Sequence, residues 1–260
     1  ALHAGSVRLH VSPVGDTLFV GDGSFVVIPG LSEANGFTTG TSLHTCGAPN
    51  VHNPDLVYGS MTDQEGNFYK TIVIGTQEWM AENLNTSIYR NGDSITTNLN
   101  DASWSASTSG AWAYYNNDAS NACPYGKLYN WYTCVDARQL CPTGWHVPNN
   151  EEWIVLTDYL GGNTLAAGTM KSTGTIDSGT GLWHAPNTQA TNSSGFSGIP
   201  GGYRGSTGIF NTFSDYGYWW GSSAGGSFFT RARTLYYLNG NVAANDYNKK
   251  TGCSVRCVRD

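Results

Sequence analysis

Residues 140–148 pack a cysteine, two prolines, a glycine and a tryptophan into one short stretch: Leu140, Cys141, Pro142, Thr143, Gly144, Trp145, His146, Val147 and Pro148. Proline fixes φ and lacks an N–H donor, and glycine relaxes the backbone, so no regular helix or central strand runs through it. It reads as a fixed turn around which its neighbours are organised. Its thiol is one of six: Cys46, Cys123, Cys134, Cys141, Cys253 and Cys257. No C-x2-C pair is present, which argues against a zinc ribbon and leaves disulfides in an oxidising compartment as the reading. The chain begins at Ala1 with no basic-then-apolar leader, which fits a cleaved signal peptide.

Only 12% of residues are charged and 13% are aromatic, a balance expected of a chain that folds rather than one that stays disordered. The net charge of -6 argues against nucleic acid as a partner, since that needs a basic face. No apolar run approaches the ~18 residues of a membrane-spanning helix. Val26, Val27 and Ile28 are typical of the runs present.

Along the chain, Val7, Leu9 and Val11 alternate with Arg8 and His10, as in a half-buried strand. Gly21, Asp22 and Gly23 separate two apolar runs, a hairpin signal. Residues 1–45 are therefore expected to form a β appendage and linker, and so few strands need a surface to pack on. Gly36 to Asn53 reads as the linker itself. From residue 46 onward a second, α+β domain is expected. Asp63, Gln64, Glu65, Gly66 and Asn67 read as a hairpin turn before a strand over residues 68–74. A calcium loop would need alternating Asp/Asn and a distal Glu that are not there. Two helices are expected. Leu128, Trp131, Tyr132 and Val135 form an i, i+3, i+4, i+7 stripe over 126–136. Asn149 and Glu152 form a capping box opening a helix through Trp153, Leu156 and Leu160, ended by Gly161 and Gly162. No further helix is expected after residue 162. Tyr218, Trp219 and Trp220 read as a short aromatic strand, and Val255 and Cys257 as sharing one face of a final strand.

Several motifs then occur in order: Asp63, Glu65, Gly66, Asn67, Tyr69, Lys70, Thr71; Glu78, Trp79, Met80, Ala81, Glu82, Asn83, Leu84; Tyr125, Gly126, Lys127, Leu128, Tyr129, Asn130, Trp131, Tyr132; residues 140–148; Pro200, Gly201, Gly202, Tyr203, Arg204; Tyr218, Trp219, Trp220; and residues 254–260. Over about residues 55–260 the chain resembles the Fibrobacter succinogenes major paralogous domain family, common in secreted and surface proteins of Bacteroidota and Fibrobacterota. The resemblance implies a C-type-lectin-like fold in the branch of formylglycine-generating enzymes, a bond between Cys141 and Cys257, and ligand contacts in the irregular region before the last strand, here about 216–250. It implies no established activity. The motifs do not extend to the N-terminal unit.

The chemistry points the same way. Cys253 and Cys257, four apart in a strand, lie roughly 13 Å apart at ~3.3 Å per residue, too far for a mutual disulfide or a shared metal. Cys123 with Cys134 and Cys46 with Cys253 are the remaining pairings to test. No H-x3-H or HExxH spacing and no second acid pair beside Glu78 and Glu82 marks a catalytic centre. His146 and His184 read as structural hydrogen-bonders, and Glu82 as a local cap or pair. The triplets Ala185, Pro186, Asn187 and Ala244, Asn245, Asp246 stand where sugar-binding calcium lectins carry richer carboxylate sets. Between 216 and 250, rigid aromatics alternate with Gly, Ser and Asn, the mixture used by adaptable binding surfaces. Tyr216, Tyr236, Tyr237, Asn239, Asn241 and Tyr247 are the expected ligand contacts. Tyr236, Asn239, Asn241 and Tyr247 are expected to be exposed and Trp219 to be core, with Trp220 and Phe228 also core on the plainer reading. Asn85 and Asn192 head N-glycosylation sequons. The Bacteroidota resemblance also implies O-linked sugar on Thr17 or Ser94, each after Asp and before an apolar residue.

These readings converge on a secreted or surface-exposed, disulfide-stapled, non-enzymatic protein without cofactor or metal. Its expected role is adhesion or self-assembly into a filament, and its partners are copies of itself or an extracellular glycan or protein. A monomeric module binding glycan or protein on 216–250 is the alternative.

Overall fold

The structure, a computed structural model, describes residues 8–12, 15–19, 25–27 and 48–260. The chain divides into two compact units, Ala1–Ser42 and Leu43–Asp260. In the first, β1 (Arg8–Ser12), β2 (Gly15–Phe19) and β3 (Phe25–Val27) form an antiparallel sheet in that order. Leu9 lies opposite Leu18, and Thr17 opposite Val27. The predicted Gly21–Asp22–Gly23 turn, most of the predicted linker and Cys46 lie outside the described residues.

The second unit opens with β4 (Gly59–Thr62), β5 (Phe68–Ile74) and β6 (Gln77–Met80). Asp63 makes the β4–β5 turn. One carboxylate oxygen accepts from the Glu65 and Asn67 N–H groups, and the other from the Asn67 side chain and the Tyr69 hydroxyl. That side chain is consumed by its own hairpin, and Gly66 supplies the positive φ of 84° the turn requires. The chain continues through α1 (Asp101–Ala106), β7 (Trp112–Ala113), α2 (Ala122–Tyr125), β8 (Leu128–Tyr129), α3 (Trp131–Cys134), β9 (Trp145–His146), α4 (Asn150–Tyr159) and α5 (Ala166–Met170). It ends through β10 (Tyr203–Arg204), β11 (Phe210–Asn211), β12 (Tyr216–Trp220), β13 (Phe229–Tyr236), β14 (Ala243–Asn248) and β15 (Val258–Arg259). The unit is thus a mixture of short helices and mostly antiparallel sheets.

Both helix predictions meet the structure in instructive ways. The capping box is formed: the Asn149 side chain accepts from the Glu152 N–H, the Glu152 carboxylate accepts from the Asn149 N–H, and α4 follows. The predicted helix over 126–136 is corrected. Leu128 and Tyr129 pair with Ala113 and Trp112 as strand β8, and Asn130 then caps a single turn, α3. The stripe is real as burial but is divided between two elements. A second correction is α5, which lies beyond residue 162. Its Ala166, Ala167 and Gly168 are too small to print a periodic pattern, and a side chain at Gly168 would meet the Gln189 carbonyl at 2.7 Å.

The last segment is the hub of this unit. Gly252 bridges Arg204, Cys253 bridges Tyr129, and Ser254 bridges Trp219. β15 then enters a five-stranded sheet, ordered β4-β5-β6-β15-β9, with Val258 opposite both Trp79 and His146. Cys257, just before it, is bonded to Cys141, with Cα atoms 6.0 Å apart. The turn at 140–148 is thereby fixed to the chain's end.

Strand alternation distributes the core into two clusters. Tyr218 and Trp220 join Tyr69, Tyr129, Trp145, Val255 and Cys257. Trp219, between them, points the other way to Trp79, Trp153, Phe196 and Val258. Adjacent side chains on a strand face opposite sides, so one strand seals both clusters. Trp219 and Trp220 are both fully buried, whereas Phe228 is 70% exposed, contrary to the core reading of that residue.

Two disulfide expectations are corrected. Cys134 and Cys253 are both free, buried thiols, so neither the Cys123–Cys134 nor the Cys46–Cys253 bond forms. Burial pushes both thiols well up, which keeps them protonated. Cys123 is itself disulfide-bonded.

Candidate functional site

The sequence-selected aromatic residues meet on the sheet β12-β13-β14. Register decides which side each takes. Tyr216 lies opposite Tyr236, Tyr218 opposite Thr234, and Thr230 opposite Tyr247. With a period of two, Tyr216, Tyr218, Thr234, Tyr236, Asn245 and Tyr247 share one face. Arg231, Arg233 and Asp246 share the other. All three charged residues of these strands are thus on the side away from the tyrosines.

The rings form a continuous ladder. Tyr237 meets Tyr236 edge-on at 4.9 Å, Tyr236 stacks on Tyr216 at 4.1 Å, and Tyr216 stacks on Tyr218 at 5.6 Å. Tyr218 then meets Tyr247 at 5.6 Å and Tyr203 at 5.0 Å, both edge-on. Tyr218 is buried at the inner end, while Tyr203, Tyr216, Tyr236, Tyr237 and Tyr247 are half-buried. Desolvation and the neighbouring phenols raise Tyr236 and Tyr237 above the ordinary tyrosine range, so both are neutral at physiological pH. Asn241 is exposed; Asn239 is half-buried, its side chain accepting from the Asn241 N–H.

A residue the sequence reading passed over positions the outer end of this ladder. Lys171 is completely buried, and its ammonium donates to the backbone carbonyls of Thr188 at 2.8 Å, Tyr236 at 3.0 Å and Asn239 at 3.0 Å. Burial pulls its pKa down to about 8, and the three carbonyls are its compensation. Nothing local in the sequence marks this lysine, because its acceptors lie 17 to 68 residues away.

Buried polar groups elsewhere are equally non-local. His52 Nε2 lies 3.1 Å from Glu82 and Nδ1 lies 3.2 Å from the Ser197 hydroxyl. Burial outweighs the pull of Glu82 and lowers the His52 pKa. Neutral His52 can then donate to Glu82 and accept from Ser197, the partners of a nucleophilic relay. Ser197 has no exposed surface, however, and Asn192 also donates to its hydroxyl. The relay ties the start of the second unit to its core. Glu82, expected to pair locally, also accepts from the Lys70 N–H 12 residues away. Arg256 is likewise fully buried. It donates to Asn83 at 3.0 Å, to the Ser197 carbonyl at 2.8 Å and to the Phe196 carbonyl, and burial lowers its pKa to about 9.

The remaining candidates are placed as follows. His146 bridges Asp260 and Glu152, each at 2.7 Å, and His184 faces Asp215 at 3.0 Å. Glu78 bonds Arg259 and Thr71. The buried Asn187 amide donates to the Ser172 and Gly174 carbonyls, and Asp246 pairs with Arg231. Asn192 is 1% exposed, so its sequon is closed in the folded chain. Ser94 is exposed, and Thr17 lies in β2, where its side chain is outside the described residues. Two open clefts, of about 300 and 350 Å3, lie elsewhere: one by Glu151, Arg231 and Asp246, the other by Arg90, Asp136, His146 and the disulfide.

Among the described residues, no helix is long and apolar enough to cross a membrane. The Fibrobacter succinogenes major domain family matches residues 72–259. No curated protein and no solved structure matches the chain.

Proposed function

The chain belongs to the Fibrobacter succinogenes major domain family, and on that premise we propose that it is a non-enzymatic extracellular subunit that joins surfaces, first of all to copies of itself. The observation that carries this reading is the division of the chain. Ala1–Ser42 is a compact unit whose described structure is one small three-stranded sheet. Leu43–Asp260 ends one of its sheets on β14, a six-residue strand paired on one side only among the described residues. With strands of five, five and three residues, the first sheet is at the lower limit of what is stable alone in water and gains from a further surface. An open edge offers unpaired N–H and C=O groups. Strand addition from one copy to the next answers both needs, and a head-to-tail contact that does not close generates a filament. Light scattering of a chain lacking residues 1–35 tests this: assembly must vanish, and assembly that persists refutes it.

The bonded Cys141 and Cys257, together with the bonded Cys123, support a secreted or surface location. The C-type-lectin-like fold is part of the same proposal, supported by the chain's end entering the sheet built from β4 to β6. A second reading has its own observation. The half-buried tyrosine ladder suits a monomeric module that attaches to an extracellular glycan or protein. Attachment lost on Tyr236→Ala, with no assembly of the parent chain, would favour it.

A further inference from the structure

We infer that the open cleft between the start of α4 and the outer face of β13 and β14 binds a neutral glycan, which rests on the second reading above, that the molecule attaches to an extracellular glycan or protein, and places the contact on the side of the sheet away from the tyrosines. Three observations converge on that ligand class.

The first is an uncovered ring beside the cleft. Strand β12 ends at Trp220, opposite Ala232, so from Arg231 back to Phe229 the sheet is only β13 paired with β14. Phe229 lies opposite Asn248 and Arg231 opposite Asp246, and these four residues share the outer face. Phe229 is 52% exposed and makes no ring contact among the described residues, so its face is open. A pyranose has an apolar C–H face that covers such a ring and a rim of hydroxyls that needs hydrogen bonds.

The second is a set of polar groups held from the protein side with capacity left toward the cleft. The cleft has a volume of about 300 Å3, within the range of small-molecule sites. Asn150 lines it, and its Oδ1 accepts from Arg233, itself 4% exposed, at 2.8 Å. That bond fixes which way the amide turns and leaves its Nδ2 donors without a partner among the described residues. The Ser223 hydroxyl accepts from the Asn150 N–H at 2.8 Å, which leaves its own O–H to donate. Across the cleft, Arg231 uses only its Nε, on Asp246 Oδ1 at 3.4 Å. The rest of that guanidinium and the other carboxylate oxygen stay available, and so exposed a pair rearranges at little cost. A sugar hydroxyl both donates and accepts, so neighbouring hydroxyls suit this mixture of donors and acceptors. The third observation is charge. Glu151 and Asp246 are balanced by Arg231 and the underlying Arg233. A phosphate or uronic acid would meet the carboxylates and a polyamine the guanidinium groups, whereas a neutral ligand meets neither repulsion.

The test is isothermal titration of the 260-residue chain with cello-, xylo-, chito-, malto- and manno-tetraose, and with oligogalacturonate and oligoglucosamine as acidic and basic controls. Saturable binding of at least one neutral tetraose is expected, nearly unchanged between low and high salt. Phe229→Ala should weaken it tenfold or more and Asp246→Ala several-fold, both without lowering the melting temperature, because both side chains are exposed. Tyr159→Ala, at an exposed ring on the far end of α4, should leave it unchanged. No saturation with any neutral tetraose overturns the inference, as does preference for either charged control or insensitivity to Phe229→Ala. Attachment to a protein-coated surface that depends on Tyr236, with no tetraose binding, leaves the second reading standing and overturns the glycan. Absence of both attachment and tetraose binding overturns the two together.

Discussion

Replacing Cys141 and Cys257 together by alanine should cost this chain several kcal/mol of stability. The bond closes a loop with a sequence separation of 116. Loop-closure entropy, -2.1 - 1.5R ln n, gives about 5 kcal/mol at 25 °C for a loop of that size. Alanine is the right replacement because both positions are almost wholly buried, 1% and 0% exposed, and serine would bury unpaired hydroxyls. The loss falls where the fold can least absorb it. β15 lies between β6 and β9, and the residues before it bridge β8, β10 and β12, so freeing Cys257 loosens the strand that joins these elements. Against a typical total of roughly 5–15 kcal/mol, the variant should be marginal at 37 °C. Urea unfolding followed by tryptophan fluorescence measures the difference. A loss of about 3–5 kcal/mol is expected, with a steeper dependence on urea as the unfolded chain expands. A loss below about 1 kcal/mol would refute the reasoning, because it would mean that the unfolded chain keeps these segments together without the bond.

Lys171→Met removes the donor shared by three carbonyls and should cost about 3 kcal/mol in the same assay; a loss near zero would show that the ammonium does not hold the loops. Cys134 and Cys253, buried with their thiols pushed up, should stay unmodified by a thiol reagent at pH 8 until the chain is unfolded; labelling of the native protein would contradict their placement. Partial burial opposes charge on His146, but the hydrogen bonds and charges of Asp260 and Glu152 outweigh it and raise its pKa. A raised folded pKa stabilises fully below the unfolded value of about 6.5, and the gain is lost as pH rises through the folded value. Wild type should therefore exceed His146→Gln in melting temperature at pH 5.5 and lose that advantage by pH 8. The effect should stay below about 1 kcal/mol because the pair is solvent-screened. An advantage that grows with pH would reverse the assignment.

Local signals in the sequence were legible because local chemistry made them. Asn149 and Glu152 satisfy each other's backbone three residues apart, and Asp63 closes its own hairpin, so neither needed the rest of the molecule. The stripe from Leu128 to Val135 reflects burial rather than helical periodicity. Leu128 and Tyr129 are buried by pairing with β7, and Asn130 starts a new element. The ladder residues could be chosen by composition, but their alignment depended on a register that places Tyr216 opposite Tyr236 across about twenty intervening residues. Lys171, Arg256 and the His52–Glu82–Ser197 relay left no local mark. Apart from the Asn192 contact to Ser197, the partners named come from 12 to 176 residues away, and only the folded chain makes them neighbours.

The most direct test of the central claim is negative-stain microscopy of the oxidised 260-residue chain over a range of concentrations, with light scattering on the same samples. The account predicts extended assemblies of regular diameter that grow with concentration and are absent when residues 1–35 are removed. A uniform population at the 27.9 kDa mass of one chain, at every concentration, would contradict it.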